Sequence, residues 1–406
     1  MKLAVVVPDG LADEPLSALG GKTPMEAARA PAIAQIAAEG MVGLVRTIPQ
    51  GMPPGSDVAN LSLFGFNPRE SYTGRAPLEA ESRGIPLGDA EWVYRANLVT
   101  VADGRMADYS AGQIPSAEAA ALIEALAPVL AARGFRLHAG VSYRHLAVDA
   151  EASGKEIRTT PPHDILGESV ERHLPVGLGA ERLIAAMEAS VSILESHDVN
   201  RVRRDLGENP ATQLWLWGQG TKPHLSRIAE AKGLRAAVIS AVDLVRGIAR
   251  LAGCEVLDVP GATGGFDTDY AAKGRAAVAA LENHDLVFVH VEATDEAGHN
   301  ALVDEKVRAL ERIDEHIVAP LRKALPSFGP WRILVCPDHP TPIRLRTHTG
   351  DPVPFAAAGD GIPASSRAFS ERSAAASGVY LPDGFRILDC LRGAAPWPAP
   401  RAASMP

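Results

Sequence analysis

Three short apolar runs in this chain each stop at an acidic residue, and two of the stops also carry a histidine. Residues 3–7 (Leu-Ala-Val-Val-Val) lead to Asp9. Residues 286–291 (Leu-Val-Phe-Val-His-Val) lead to Asp295 and His299, and residues 333–336 (Ile-Leu-Val-Cys) lead to Asp338 and His339. Runs of this length, rich in Val and Ile, read as parallel strands buried on both faces. Open α/β sheets collect ligands at the carboxyl ends of their strands. Asp9, Asp295, His299, Asp338 and His339 are therefore expected on one rim. Carboxylates gathered there repel unless a cation lies between them, and mixed Asp and His donors suit Zn²⁺, Mn²⁺ or Fe²⁺ better than Ca²⁺. Each strand end taken alone reads equally well as a helix N-cap. Pro337 and Pro340, however, hold the Asp338-His339 pair extended, and Asp295 and His299 share one helix face.

The 406 residues call for more than one core. No apolar run is long enough to cross a bilayer. Met1-Lys2 leads straight into an apolar run of five, so no secretory leader is expected. The three cysteines, Cys254, Cys336 and Cys390, fit a reducing cytoplasm rather than a disulfide framework. A net charge of −9 argues against nucleic acid as a partner. Helical patterns are expected over residues 27–39, 117–133 and 181–195. Strands are expected over 43–48, 91–101, 135–138, 143–148, 157–159, 213–217, 236–242 and 255–259. The texture changes between about 102 and 180. The expected organisation is an α/β core over 1–101 and 181–393, a smaller α+β insertion over 102–180, and a disordered tail over 394–406. The basic run Arg201, Arg203 and Arg204 reads as a solvated surface.

Residues 51–62 (Gly-Met-Pro-Pro-Gly-Ser-Asp-Val-Ala-Asn-Leu-Ser) deliver Ser56 to the start of a helix. A serine there is a common N-cap, but the helix's positive end also favours an anion, and a metal would turn the hydroxyl into a nucleophile.

Asp9-Gly10, Pro54-Gly55-Ser56-Asp57, residues 295–299, Pro337-Asp338-His339 and residues 348–354 together resemble the archaeal-type cofactor-independent phosphoglycerate mutases of the alkaline phosphatase superfamily. The likeness extends to residues 20–24 and 72–75. It implies an alkaline-phosphatase-like core sheet flanked by helices, with the insertion as a lid. It implies two divalent ions, Mn²⁺ foremost, with Zn²⁺, Mg²⁺ or Co²⁺ as alternatives. Asp9, Ser56, Asp338 and His339 would hold one ion, and Asp295, His299 and His348 the other. Ser56 would be the catalytic nucleophile, phosphorylated and then relieved of its phosphate. The implied substrate is a small phosphorylated carboxylic acid, with no membrane or nucleic-acid partner and no implied oligomeric state. Arg144, His145, His163, Asp164 and Lys273 are the candidate substrate-binding residues. The chain departs from the archaeal pattern at Pro53, Asn60 and 108–112, where it resembles a bacterial branch with a proposed homoserine kinase role. A phosphotransferase or phosphatase acting on another substrate is thus the alternative.

Overall fold

The computed structural model describes residues 1–151 and 154–400. The chain forms two compact units. Unit 1 comprises Met1–Tyr72 and His224–Pro406, and unit 2 comprises Thr73–Pro223. In chain order the strands are β1 (Lys2–Pro8), β2 (Met41–Val45), β3 (Trp92–Ala102), β4 (Arg105–Asp108), β5 (Phe135–His138), β6 (Arg144–Asp149), β7 (Gln213–Thr221), β8 (Ala236–Ile239), β9 (Glu255–Val256), β10 (Leu286–Val291), β11 (Trp331–Val335), β12 (Val353–Gly359) and β13 (Tyr380–Leu381).

Unit 1 is built on an eight-stranded sheet in the order β13-β2-β12-β11-β1-β10-β8-β9. The first and second apolar runs form β1 and β10, and the third forms most of β11. The three lie side by side and parallel. Helices cover both sheet faces, so these strands are apolar almost throughout rather than alternating. Val7 pairs with His290 and Val6 with Val335, which brings Asp9, the residues after Val291 and the residues after Cys336 to one rim. The antiparallel β12 then returns between β11 and β2. Among the described residues no helix is long and apolar enough to cross a membrane.

Unit 2 has its own five-stranded sheet, in which the long β3 is flanked by β4, β6 and β7, and β5 pairs with β6. The helices Ser116–Ala131 and Ala180–Ser196 pack Leu122, Leu126, Leu183 and Met187 into a core with Tyr94, Phe135 and Trp215. The insertion is therefore wider than the expected 102–180. The expected core strand near 91–101 and the helix near 181–195 both belong to unit 2, because their partners lie there.

Other elements differ in detail. The helix expected over 27–39 is two, Pro24–Ala27 and Pro31–Glu39, because the proline after Ala30 disfavours helical backbone before it. The Asp314 carboxylate accepts from the N–H groups of Ala32 (3.1 Å) and Ile33 (2.6 Å), capping the second helix from outside. Residues 157–159 make only an isolated bridge between Arg158 and Val176. The start of the expected tail is packed: Ala394 and Ala395 bond to the Asp389 carbonyl and Trp397 stacks on Phe355 at 5.4 Å. Residues 401–406 lie outside the described residues.

Arg203 is also a correction, since it is 2% exposed rather than solvated. Its guanidinium bonds Glu118 (2.8 Å), the Ala111 carbonyl (2.9 Å) and the Asn209 carbonyl (3.0 Å). Truncation strands those carbonyls. Arg203→Ala is expected to cost about 2–4 kcal/mol in chemical denaturation, whereas Arg204→Ala costs less than about 0.5. Equal losses would show that the buried guanidinium holds nothing together.

Candidate metal centre

The helix Ser56–Leu63 begins at Ser56, with Gly55 in the cap position. Ser56 thus does not cap its helix. Its Oγ lies 3.0 Å from His339 Nε2. His339 Nε2 lies 3.4 Å from Asp9 Oδ1 and 3.6 Å from Asp338 Oδ2. Asp9, Asp338 and His339 are all essentially buried. Backbone and side-chain donors fix the carboxylate of Asp338. Gly10 N–H donates to Oδ1 at 3.1 Å, and Asn60 Nδ2 donates to Oδ2 at 2.8 Å. Thr47 Oγ1 donates to the Asp338 carbonyl at 2.5 Å. Thr294 donates likewise to the Asp9 carbonyl.

A second set adjoins the first. Asp295 and His299 are one turn apart on the helix Ala293–His299, and His348 comes from the loop before β12. His299 Nε2 is 3.2 Å from Asp295 Oδ2, His348 Nε2 is 3.5 Å from Asp295 Oδ1, and the two Nε2 atoms are 2.9 Å apart. His299 Nδ1 faces the Arg346 carbonyl at 2.9 Å, which fixes a proton there and turns Nε2 toward the cluster. All seven residues expected from the sequence are thereby placed in two adjacent groups.

These distances fit cations. Donors about 2.1 Å from a shared ion in a tetrahedral site lie about 3.4 Å from one another. The donor atoms of Asp9, Asp338 and His339 lie within 4.8 Å of one another, as do those of Asp295, His299 and His348. Asp9 Oδ1 is buried with no hydrogen-bond partner, an orphan that a cation would satisfy. Burial, with the charges of Asp338, Asp295 and Glu292, raises the Asp9 carboxyl well above its usual range. Burial alone would raise Asp295 too, but hydrogen bonds from His299 and His348 hold it well below. Burial would lower His299, yet its bond to Asp295 lifts it to about 9. A proton there does the job of a positive ion, which a divalent cation does better. The donors are O and N with no thiolate, a set that suits Mn²⁺, Zn²⁺ or Co²⁺.

Lys273, in the helix Tyr270–Ala280, belongs beside this cluster. It is 1% exposed, and its Nζ donates to the His290 carbonyl at 3.3 Å. Burial lowers it to about 8 against the opposing pull of Glu292.

The other substrate candidates lie in unit 2. Arg75 and Arg95 both pair with Glu79, at 3.3 and 3.1 Å, and the Arg95 guanidinium lies 4.3 Å over the Trp217 ring. Burial would raise Glu79, but the charges of Arg95, Arg75 and Arg144 hold it below its usual range. Two guanidinium groups thus share this carboxylate, with the charge of a third nearby. Arg144 is exposed beside the Tyr143 ring. His163 packs edge-on against Tyr109 and Trp217, and Asp164 is its neighbour in a short 3₁₀ turn rather than a cap before a helix. His145 is 1% exposed, and its Nδ1 accepts from Gly140 N–H.

The departures from the archaeal pattern also find places. Asn60 is wholly buried, and its Nδ2 donates to Asp338 Oδ2 and to the Ser56 carbonyl (2.9 Å). Asp108 accepts from Ser110 and Gly112 in a local turn. Sequence reasoning missed two neighbours of this cluster, Glu292 and His290. Glu292 follows β10 directly and carried the same strand-end signal as Asp295. His290, 3.1 Å from Asp9 Oδ2, was hidden inside an apolar run.

Residues 37–200 match the family described as 2,3-bisphosphoglycerate-independent phosphoglycerate mutase. A 2,3-bisphosphoglycerate-independent phosphoglycerate mutase of Methanothrix thermoacetophila is 51% identical over 393 residues, covering 96% of this chain and 99% of its own length. A solved structure of a protein from Pyrococcus horikoshii is similar with a TM-score of 0.82 at 30% identity, covering 97% of this chain and 98% of that one. The cofactor-independent phosphoglycerate mutase of Thermoplasma acidophilum aligns with a TM-score of 0.64 at 27% identity, covering 97% and 100%.

A cation bound by His299 must displace its proton. Below about pH 9 the proton competes, so affinity for Mn²⁺ is expected to rise with pH from 6 to 9, about tenfold per unit for each proton displaced. Equilibrium dialysis of the metal-stripped protein at four pH values reads this directly. A flat profile would remove His299 from the ligand set.

Proposed function

The chain belongs to the 2,3-bisphosphoglycerate-independent phosphoglycerate mutase family, and from that premise we propose how its own residues interconvert 3-phosphoglycerate and 2-phosphoglycerate. The enzyme is an isomerase that moves a phosphoryl group within one molecule. We assign one divalent ion to Asp9, Ser56, Asp338 and His339, and a second to Asp295, His299 and His348, with Mn²⁺ as the first choice. Bound there, the ions would neutralise the clustered carboxylates and the transferring phosphoryl group and favour the serine alkoxide. Ser56 takes the phosphoryl group, and the freed glycerate turns and accepts it on its other hydroxyl. Arg144 is kept as the candidate for an anionic group of the substrate, since the planar guanidinium matches carboxylate and phosphate. Water must be excluded while Ser56 carries phosphate, or the ester hydrolyses.

The observation that carries this reading is Ser56 Oγ at 3.0 Å from His339 Nε2, in the midst of buried acidic and imidazole donors. A serine serving only as a cap would sit elsewhere. Brief incubation with labelled 3-phosphoglycerate and Mn²⁺, without 2,3-bisphosphoglycerate, then an acid quench, is expected to leave phosphate on the Ser56 peptide. Ser56→Ala should lose both label and turnover while staying folded, because its hydroxyl caps nothing. A parallel assay with ATP and homoserine separates the alternative: label arriving from ATP instead would replace the mutase assignment with a kinase.

Arg144→Ala is expected to raise KM for 3-phosphoglycerate by about 10-fold or more, as loss of a charged hydrogen bond predicts. An unchanged KM would remove Arg144 from the substrate-binding residues.

A further inference from the structure

We infer that Thr341 is a positioning residue whose single hydroxyl ties together the ligand sets of both metal sites. This rests on the two-ion reading above. Thr341 is wholly buried. Its Oγ1 donates to Asp295 Oδ1 and lies 3.3 Å from His339 Nδ1. A hydroxyl has one proton to give and lone pairs to receive. An ionised carboxylate can only accept, so the proton goes to Asp295. The lone pairs then favour a proton on His339 Nδ1, as does the Pro340 carbonyl at 3.4 Å. His339 Nε2 is left as the acceptor, facing Ser56 and Asp9. One side chain thus aims Asp295, from the second set, and selects the tautomer of His339, from the first. Groups behind metal ligands commonly act in this way.

Thr341 is itself held rigidly. Its N–H is shared between the Gly10 carbonyl (3.2 Å) and the Ala12 carbonyl (3.3 Å). Its own carbonyl accepts from Lys306 Nζ at 2.8 Å, and that fully buried ammonium pairs with Asp13 at 2.8 Å. The Asp13 carboxylate accepts in turn from the N–H groups of Ile343 (3.2 Å) and Glu14 (2.8 Å). The space is tight. A Cβ on Gly10, whose φ is +60°, would collide with both Asp295 Oδ1 and Thr341 Oγ1, and one on Gly298 would come within 2.5 Å of the Thr341 carbonyl oxygen. None of these groups contacts the ions by the assignment above. Their common target is the angle at which the ligands meet them.

Thr341→Val keeps the volume and removes the hydroxyl, and Thr341→Ser keeps the hydroxyl. Mn²⁺ binding to the metal-stripped full chain, followed by the EPR signal of free Mn²⁺, gives the number of sites and each Kd without reference to activity. The wild type is expected to bind two ions. Thr341→Val should weaken both by about 10- to 100-fold, with Thr341→Ser near wild type. His299→Ala, by contrast, should weaken one ion selectively. Circular dichroism of the stripped proteins checks folding, and Thr341→Ala replaces the valine variant should that one not fold. A wild type that binds two ions beside a folded valine variant with unchanged affinities overturns this inference alone, as does a variant that weakens one ion only. A wild type that binds no Mn²⁺ overturns the two-ion reading beneath it.

Discussion

Like charge packed out of reach of water is the constraint around which unit 1 is arranged. Asp9, Asp295 and Asp338 are each at most 5% exposed, and Glu292 adds a fourth negative group nearby. Charges so close and so dry repel by far more than they would in bulk water. The fold meets this in two ways. It surrounds the carboxylates with donors that cannot move away, namely the Gly10 N–H, Asn60 Nδ2 and the Thr341 hydroxyl. It also leaves donor spacings that a divalent cation would fit. The parallel sheet is what allows both, since β1, β10 and β11 end together and deliver the residues after them to a common place.

The rim cluster was legible in the sequence because most of its residues are announced by a strand. An apolar run of fixed length must end, and the residues just beyond it must face the rim. That logic located Asp9, Asp295, His299, Asp338 and His339 without any knowledge of pairing order. Ser56 was readable through its Pro-Pro-Gly approach, but its role was not. A serine at a helix start has the same local signature whether it caps the helix or, as here, points at a histidine 283 positions away in the chain. His348 sits in a loop with no periodicity to mark it, and only resemblance supplied it. The supporting groups were harder still. Asn60 looks like an ordinary polar residue on an exposed helix turn until β11 brings Asp338 against it.

Domain boundaries failed for a related reason. The long β3 has the apolar composition of a central core strand, and composition does not say which sheet will claim it. Its hydrogen bonds to β4, β6 and β7 settle the matter, and those partners are spread from residue 105 to residue 221. Arg203 failed for the opposite reason. Flanked by Arg201 and Arg204 it reads as surface, yet helical geometry turns that one member of the run inward onto carbonyls and Glu118.

The sheet order of unit 1 bears on the order in which the protein can be made. β1 leads the chain but lies between β10 and β11, whose first residues are 286 and 331. A ribosome emitting the chain from its N-terminus exposes Leu3 to Val7 for the time needed to make nearly 300 further residues, at roughly 5–20 residues per second. Unit 2, whose sheet and core partners all lie between Thr73 and Pro223, is complete long before then. The nascent protein therefore passes through a stage with one finished domain and a strongly apolar strand still without its partners, a segment open to aggregation or to chaperones. The cluster of Asp295, His299 and His348 cannot be complete until His348 has emerged.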